Sequence, residues 1–241
     1  WFDNLNGVAL GHTRLSIRDL SPLGNQPMES ACGRFLITYN GEIYSHEELL
    51  KELVKEGVQL KSRSDTEIIL EACVKWGVEK TVEKLLGMFA FALLDKKTKT
   101  ITLARDRVGI KPLYYGIFTN LFIFGSELKA IKINDDWDKE IDRNSLSSFM
   151  RHNYIPAPYS IYKYIRKLEP GSILIINSNG NHSVKKYWRL EDHLKKNQNI
   201  NNKDISHNFD DELEKLLLDS VKRTLVSDVD VGALLSGGVD S

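Results

Sequence analysis

Arg14, Asp65 and the pair Asn40-Gly41 are residues whose types suggest chemistry on a small molecule. Arg14 stands in Gly11-His12-Thr13-Arg14-Leu15-Ser16-Ile17, an apolar, strand-like stretch. A guanidinium there needs an anionic partner, because a charge out of water is costly unpaired. The plainer account is a strand arginine turned to solvent. Asn40-Gly41 follows the β-rich run 35–39 and is the strongest short turn signal, so alone it reads as the turn that ends a strand. Its chemical reading is an amide and a backbone N–H aimed at one oxygen, an oxyanion hole. Asp65 follows Ser64 in a first helical turn, where the helix dipole alone explains it. A fixed carboxylate at a pocket edge would also bind an ammonium. One at a time, the plain accounts suffice. Together they supply an Arg for a carboxylate, an Asp for an ammonium and an Asn-Gly pair for a carbonyl. An amino acid with a side-chain amide needs all three, and glutamine fits.

A second candidate closes the sequence: Ser236-Gly237-Gly238-Val239-Asp240-Ser241, after the apolar run Val231-Gly232-Ala233-Leu234-Leu235. The run reads as a buried parallel strand. A strand entering a Gly-rich, Ser-flanked turn lets backbone N–H groups close on a phosphate. The glycines permit close approach and the serines add hydroxyl donors. No Lys-Ser/Thr pair closes the loop, so it is not the Walker pattern. It resembles the PP-loop of enzymes that split ATP into AMP and pyrophosphate. A helix should begin where the sequence stops, so the chain is expected to be a fragment.

These groups need a scaffold. At 241 residues the chain can bury a full core in one or two domains. Basic and acidic residues balance at 33 each, which argues against nucleic-acid binding through a basic surface. No stretch has the length of a membrane span and no signal peptide is visible. Cys32 and Cys73 lack metal or disulfide spacing, which suits a reducing cytoplasm, and both read as small buried hydrophobes.

Residues 7–188 read as strands with a few helices. Runs 88–94 and 100–104, 114–118 and 121–124, and 172–176 and 184–188 each predict a hairpin. Two capping boxes, Ser45-His46-Glu47-Glu48 and Ser64-Asp65-Thr66-Glu67, predict helices that stop at Gly57 and Gly77. The fold class is therefore α+β, with helices layered on largely antiparallel sheets. Residues 191–207 lack periodicity and read as a linker between a domain over 1–190 and a new α/β domain over 208–241. In the latter, Phe209, Leu213, Leu216, Leu217 and Val221 fall at helical spacing.

The order of these motifs resembles the glutamine-hydrolysing asparagine synthetases. The likeness runs from His12-Thr13-Arg14-Leu15-Ser16-Ile17 and Asn40-Gly41-Glu42-Ile43-Tyr44 through Ser62-Arg63-Ser64-Asp65-Thr66-Glu67 and Gly87-Met88-Phe89-Ala90-Phe91-Ala92. It continues in Ala104-Arg105-Asp106-Arg107-Val108-Gly109-Ile110-Lys111-Pro112-Leu113-Tyr114-Tyr115 and Gly125-Ser126-Glu127-Leu128-Lys129-Ala130. Ile155-Pro156-Ala157-Pro158, Lys167-Leu168-Glu169-Pro170-Gly171 and the final loop complete it.

The resemblance implies an N-terminal-nucleophile glutaminase sandwich of two antiparallel sheets between helices, then the start of a PP-loop ATP pyrophosphatase domain. Arg14 would bind the glutamine carboxylate, with backbone groups of Leu15, Ser16, Ile17 and Arg18 lining the site. Asn40 and Gly41 would hold the oxyanion, and Glu42 and Asp65 the ammonium. Leu235 would contact the adenine nucleotide, with Ser236, Gly237, Gly238, Asp240 and Ser241 around its pyrophosphate. Residues 105–115 would brace the sheet. ATP with Mg²⁺, glutamine and aspartate are the implied ligands, no metal ligand is assigned, and a homodimer is allowed.

The family nucleophile is a cysteine at the mature N-terminus, with its own amine as base. Cys32 and Cys73 are internal, so the nucleophile is expected upstream, and the fragment alone is expected to be inactive. Three alternatives share the motifs in part: an amidotransferase of sugar or cell-surface biosynthesis, a glutamine phosphoribosylpyrophosphate amidotransferase without the final loop, and a non-catalytic glutamine-binding relative.

Overall fold

Alternation of large apolar residues on two neighbouring strands sets the centre of the structure, a computed structural model that describes residues 1–197 and 209–239. In chain order the elements are β1 (Phe2–Asp3), β2 (Val8–Ala9), β3 (Met28–Glu29), β4 (Phe35–Ile43), α1 (His46–Lys55), α2 (Asp65–Trp76) and α3 (Val78–Lys84). They continue with β5 (Gly87–Asp95), β6 (Thr100–Arg105), β7 (Tyr114–Ile117), β8 (Phe122–Gly125), α4 (Leu128–Lys132) and α5 (Arg143–His152). The last are β9 (Arg166–Lys167), β10 (Ser172–Ile176), β11 (His182–Lys186), α6 (Leu190–Asn197) and α7 (Phe209–Thr224).

A six-stranded sheet runs β11-β10-β6-β5-β4-β3 and a three-stranded sheet runs β8-β7-β9; every pairing in both is antiparallel. One face of the large sheet, with Ile37, Tyr39, Ile43, Phe89, Phe91 and Leu93, packs on Leu49 and Leu53 of α1 and Ile68, Ile69 and Ala72 of α2. The other face carries the small residues Ala90 and Ala92 with Leu103 and Leu174, and meets Leu113 and, from the small sheet, Tyr115, Ile117 and Phe124. Beyond the small sheet, Ile131 of α4 packs with Trp137, Ile165, Tyr114 and Ile123. The layers are thus helix, sheet, sheet, helix, the expected α+β sandwich. The three hairpins form, with β11 two residues earlier than its apolar run suggests.

Several local expectations are corrected. Asn40-Gly41 is no turn: β4 runs through it to Ile43, in register with β5 throughout. Gly41 serves close approach instead, because a Cβ there would lie 2.2 Å from the Met88 carbonyl oxygen and 2.7 Å from Phe89 Cα. The stretch around Arg14 is an irregular segment between β2 and β3, not a strand. Ser64 caps α2 by accepting the Thr66 N–H, but Ser45 makes no side-chain cap, and its hydroxyl accepts the Leu86 N–H at 3.0 Å. Glu67 does not reach back to Ser64; its carboxylate accepts the N–H groups of Lys61 and Ser62 at 2.9 and 2.7 Å.

Residues 190–197, counted largely as linker, form α6, with Leu190 and Leu194 one turn apart and Glu191 and Asp192 in the first turn, where the positive end of the helix dipole favours acidic residues. Residues 198–208 of that linker lie outside the described residues. Helix α7 forms as the spacing predicts, whereas 231–235 has no strand. A parallel strand exists only against neighbours, and residues 231–235 are exposed with no ladder partner among the described residues. Cys73 is buried, but Cys32 is exposed.

Candidate active site

The glutamine candidates meet at three places around the edge of β4. The first is the loop that follows Arg14. The guanidinium donates from Nη1 to the Ser21 carbonyl at 3.0 Å and from Nη2 to the carbonyls of Arg18, at 3.0 Å, and Asp19. Gly24 makes room for it, since a Cβ at that position would lie 2.1 Å from Nη2. Three carbonyls thus wrap one cation, and Nε–H and one Nη1–H stay outside these three bonds.

Asp19 sits at the turn of this loop with φ 51°, a left-handed conformation that Asp tolerates better than most residues. Its carboxylate accepts the Ser21 N–H at 3.0 Å, the Ser21 hydroxyl at 2.5 Å and the Arg63 N–H at 2.9 Å. The Ser21 hydroxyl, above all, holds the Asp19 carboxyl below its ordinary range. A cleft of about 640 Å³ opens beside it, lined by Ser21, Ser62, Arg63 and Asp228 among others.

The second place is a charged cluster. Arg18 Nε lies 3.6 Å from Glu42 Oε1, with the two side chains only 8% and 11% exposed. Asp65, at the start of α2, is buried and accepts the Tyr39 hydroxyl at 3.0 Å and the Ile43 N–H at 3.3 Å. Burial pushes both carboxyls up, Glu42 against the pull of Arg18 and Asp65 against the Tyr39 hydrogen bond. Two desolvated carboxylates that repel each other, served by one arginine, form an environment that an incoming ammonium would relieve.

The third place is the middle of β4. Phe89, opposite Gly41, gives both its backbone groups to Asp106: its N–H donates to the carboxylate at 3.2 Å and its carbonyl accepts the Asp106 N–H at 2.8 Å. The Tyr39 N–H points away from β5 to Gln26 Oε1 at 2.6 Å, and the Ile43 N–H points away to Asp65. Strand periodicity gives the Gly41 N–H the same direction, between those two acceptors and beyond the two-residue reach of β3. The neighbouring Asn40 carboxamide donates one N–H to Ser126 Oγ at 3.0 Å, and its second N–H is left to serve another acceptor.

Of the candidates, Arg18, Glu42 and Asp65 cluster, while Asn40 and Gly41 share the strand of Glu42. Arg14 shapes the adjoining loop, Ser16 and Ile17 are half-buried within it, and Leu15 is 85% exposed. Sequence reasoning missed Asp19, Ser21, Tyr39 and Ser126, which support these groups. Of the nucleotide candidates, Leu235 to Gly238 are exposed, and Ser236 Oγ accepts the Gly238 N–H at 3.2 Å. Asp240 and Ser241 lie outside the described residues.

Residues 1–188 match the glutamine amidotransferase domain. The chain belongs to the glutamine amidotransferase domain family. Residues 212–241 match asparagine synthase. The chain is 38% identical to Bacillus subtilis asparagine synthetase [glutamine-hydrolyzing] 3, over 97% of its own length and 37% of that protein. It is 40% identical to the putative asparagine synthetase [glutamine-hydrolyzing] 2 of Methanocaldococcus jannaschii, over 97% and 47%. It thus spans less than half the length of these curated relatives. Amidase chry2 of Gibberella zeae is 32% identical over 100% of the chain and 35% of that protein. A solved glutamine phosphoribosylpyrophosphate amidotransferase from B. subtilis shares the fold, with a TM-score of 0.54, 20% identity, and coverage of 73% of this chain and 34% of that one. In this amidotransferase chain the candidate residues lie along β4 and in the loop that follows Arg14.

Proposed function

We propose that the protein hydrolyses glutamine and that the full-length enzyme passes the ammonia to an ATP-activated aspartate, making asparagine. The observation that carries the reading is the convergence of Arg18, Glu42 and Asp65 beside Asn40 and Gly41, in a glutamine amidotransferase domain that runs on into an asparagine synthase segment. In this reading Asp65 and Glu42 hold the ammonium of glutamine, whose charge offsets their crowding. Arg14 takes the carboxylate through the donors its carbonyl cage does not use, with residues 15–18 lining the pocket.

The reaction is acyl transfer. A thiolate attacks the side-chain amide carbon, and the carbonyl electron pair moves onto oxygen. The Gly41 N–H and the free Asn40 N–H stabilise that oxyanion until it collapses; the leaving nitrogen takes up the proton that the thiol gave to its base and departs as ammonia, leaving a thioester for water to cleave. Cys73 is no candidate nucleophile, since burial pushes its thiol up to about 12. Cys32 is internal and has no free amine to act as base, so the reading takes its nucleophile from outside these residues.

The Ser236–Gly238 backbone would cradle the pyrophosphate of ATP. Among the described residues no group of three His, Cys, Asp or Glu could hold a metal ion, so Mg²⁺ is assigned no ligand here. Both cysteines are free and no described helix is long and apolar enough to cross a membrane; with the reading, this favours the cytoplasm.

The test is the full-length enzyme assayed for glutamate release from glutamine, and for asparagine from aspartate, ATP and glutamine. Glutamate without asparagine would refute aspartate as acceptor, and no glutamate would refute the glutaminase. In Asn40→Ala, turnover is expected to fall roughly a hundredfold. Unchanged turnover would make Asn40 a strand residue only.

A further inference from the structure

We infer that residues 226–228, which follow α7, are a strap that sets the glutamine loop, with Asp228 as its positioning residue. The inference rests on the glutaminase reading above. Asp228 Oδ2 accepts the Asp19 N–H at 2.8 Å, and the Asp228 N–H donates to the Ile17 carbonyl at 3.0 Å. The Val226 carbonyl accepts from Arg18 Nε at 3.4 Å. Three successive residues of the loop, 17 to 19, are therefore held by one short segment more than two hundred positions away. A fourth contact anchors the helix before it: Arg223 pairs with Glu48 of α1 at 2.7 Å and with Asp219 on its own helix at 2.8 Å.

The grip falls where the loop most needs it. Asp19 is left-handed at φ 51°, and such residues persist where surrounding contacts over-determine them. Within the first domain its carboxylate and carbonyl are held by Ser21, Arg63 and Arg14, whereas among the described residues its N–H is held by Asp228 alone. Turning the Asp19 peptide would move the Arg18 carbonyl that Arg14 grips and the Arg18 side chain that faces Glu42. The Asp228 side chain bonds the Asp19 N–H and its own N–H meets the pocket lining at the Ile17 carbonyl, so it acts on glutamine through Ile17, Arg18 and Asp19. By this contact the start of the second domain shapes the substrate pocket of the first.

The test uses the full-length enzyme with Asp228→Ala and Asp228→Asn. The alanine variant is expected to raise the glutamine KM about tenfold with kcat retained, while synthesis driven by added ammonia keeps its rate. The asparagine variant keeps an oxygen that accepts the Asp19 N–H and stays within about twofold of the parent. Hydrogen exchange supplies a readout independent of catalysis: in Asp228→Ala, a peptide spanning residues 15–21 exchanges faster and the β4 and β5 peptides do not. An unchanged KM and unchanged exchange in Asp228→Ala would overturn the inference. So would equal loss of glutamine- and ammonia-driven synthesis, or an asparagine variant as impaired as the alanine one. A parent enzyme with no glutaminase activity would instead refute the glutaminase reading and leave the exchange test of the strap standing.

Discussion

Two loops of this molecule are built on the same device and used in opposite ways. After β6, Arg105 donates to the carbonyls of Lys111, Leu168 and Gly109 at 2.7, 2.6 and 2.8 Å. Its neighbour Asp106 accepts the N–H groups of Phe89, Val108, Ile110 and Lys111 at 2.9 to 3.2 Å. After β2, Arg14 likewise donates to three carbonyls and Asp19 likewise ties down nearby N–H and O–H groups.

The difference is burial and closure. Asp106 is fully buried and Arg105 nearly so, and most of their partners lie within six residues. The Arg14 loop is half-buried and borrows holds from Arg63 and Asp228. A loop that satisfies its charges from within is a brace. A loop that needs distant groups can be set by them, and suits a binding site.

The comparison is tested most severely at Asp106. Asp106→Ala removes a fully buried carboxylate, strands the buried Phe89 N–H and three part-buried N–H groups and leaves the Arg105 charge beside them, and is expected to destabilise the protein by about 3–5 kcal/mol. Urea unfolding measures this. A loss below about 1 kcal/mol would mean the loop is no brace. Arg14→Ala should do the reverse, with a small change in stability and a glutamine KM raised through the loss of about 1.5–3 kcal/mol of charged hydrogen bonding. If it unfolded the protein as Asp106→Ala does, the two loops would be the same kind of object.

A third substitution probes where the brace meets the chemistry. Asp106 fixes Phe89, whose backbone thereby leaves Gly41 unbonded from β5, and Ser126 orients the Asn40 amide next to it. Ser126→Ala should lower kcat by several-fold, the worth of one neutral hydrogen bond, about 0.5–1.5 kcal/mol, while KM stays put. A change in KM alone would place Ser126 with the binding loop.

What could be read from the sequence follows the same division. Hairpins 88–104 and 114–124 and helix α2 were legible because their signals are local: alternating apolar residues, polar connections, and a Ser64 cap. Asn40-Gly41 misled because the turn signal is local, whereas the reason for Gly41 is Met88 and Phe89 on the next strand. The apolar run 231–235 misled for a related reason, since a parallel strand depends on neighbours that its own residues do not name. Asp228 carried one sequence cue, a polar connection between a helix and an apolar run, and nothing in it points to Asp19. The residue types at the glutamine site were legible; the holds that set their geometry were not, because each spans tens to hundreds of positions.

The smallest effect lies at Asp65, between binding and bracing. Its folded-state carboxyl is raised above the ordinary 3.8 mainly by burial, so the stabilising form is the protonated one. That contribution is complete below 3.8 and is lost as pH rises through the higher folded value. Ionising Asp65 in the unliganded protein therefore costs the desolvation of a charge, a cost that a cationic ligand beside it would offset. Asp65→Asn removes the charge and keeps an oxygen for the Tyr39 hydroxyl and the Ile43 N–H. The variant is expected to melt slightly higher than the parent at pH 7, with the gap closing as pH falls to 3.8 and below, and to show a raised glutamine KM. A lower Tm at pH 7 would mean that Arg18 and its neighbours outweigh the desolvation. Asp65 would then brace the strand edge as Asp106 does, and its carboxylate would not be a charge kept for substrate.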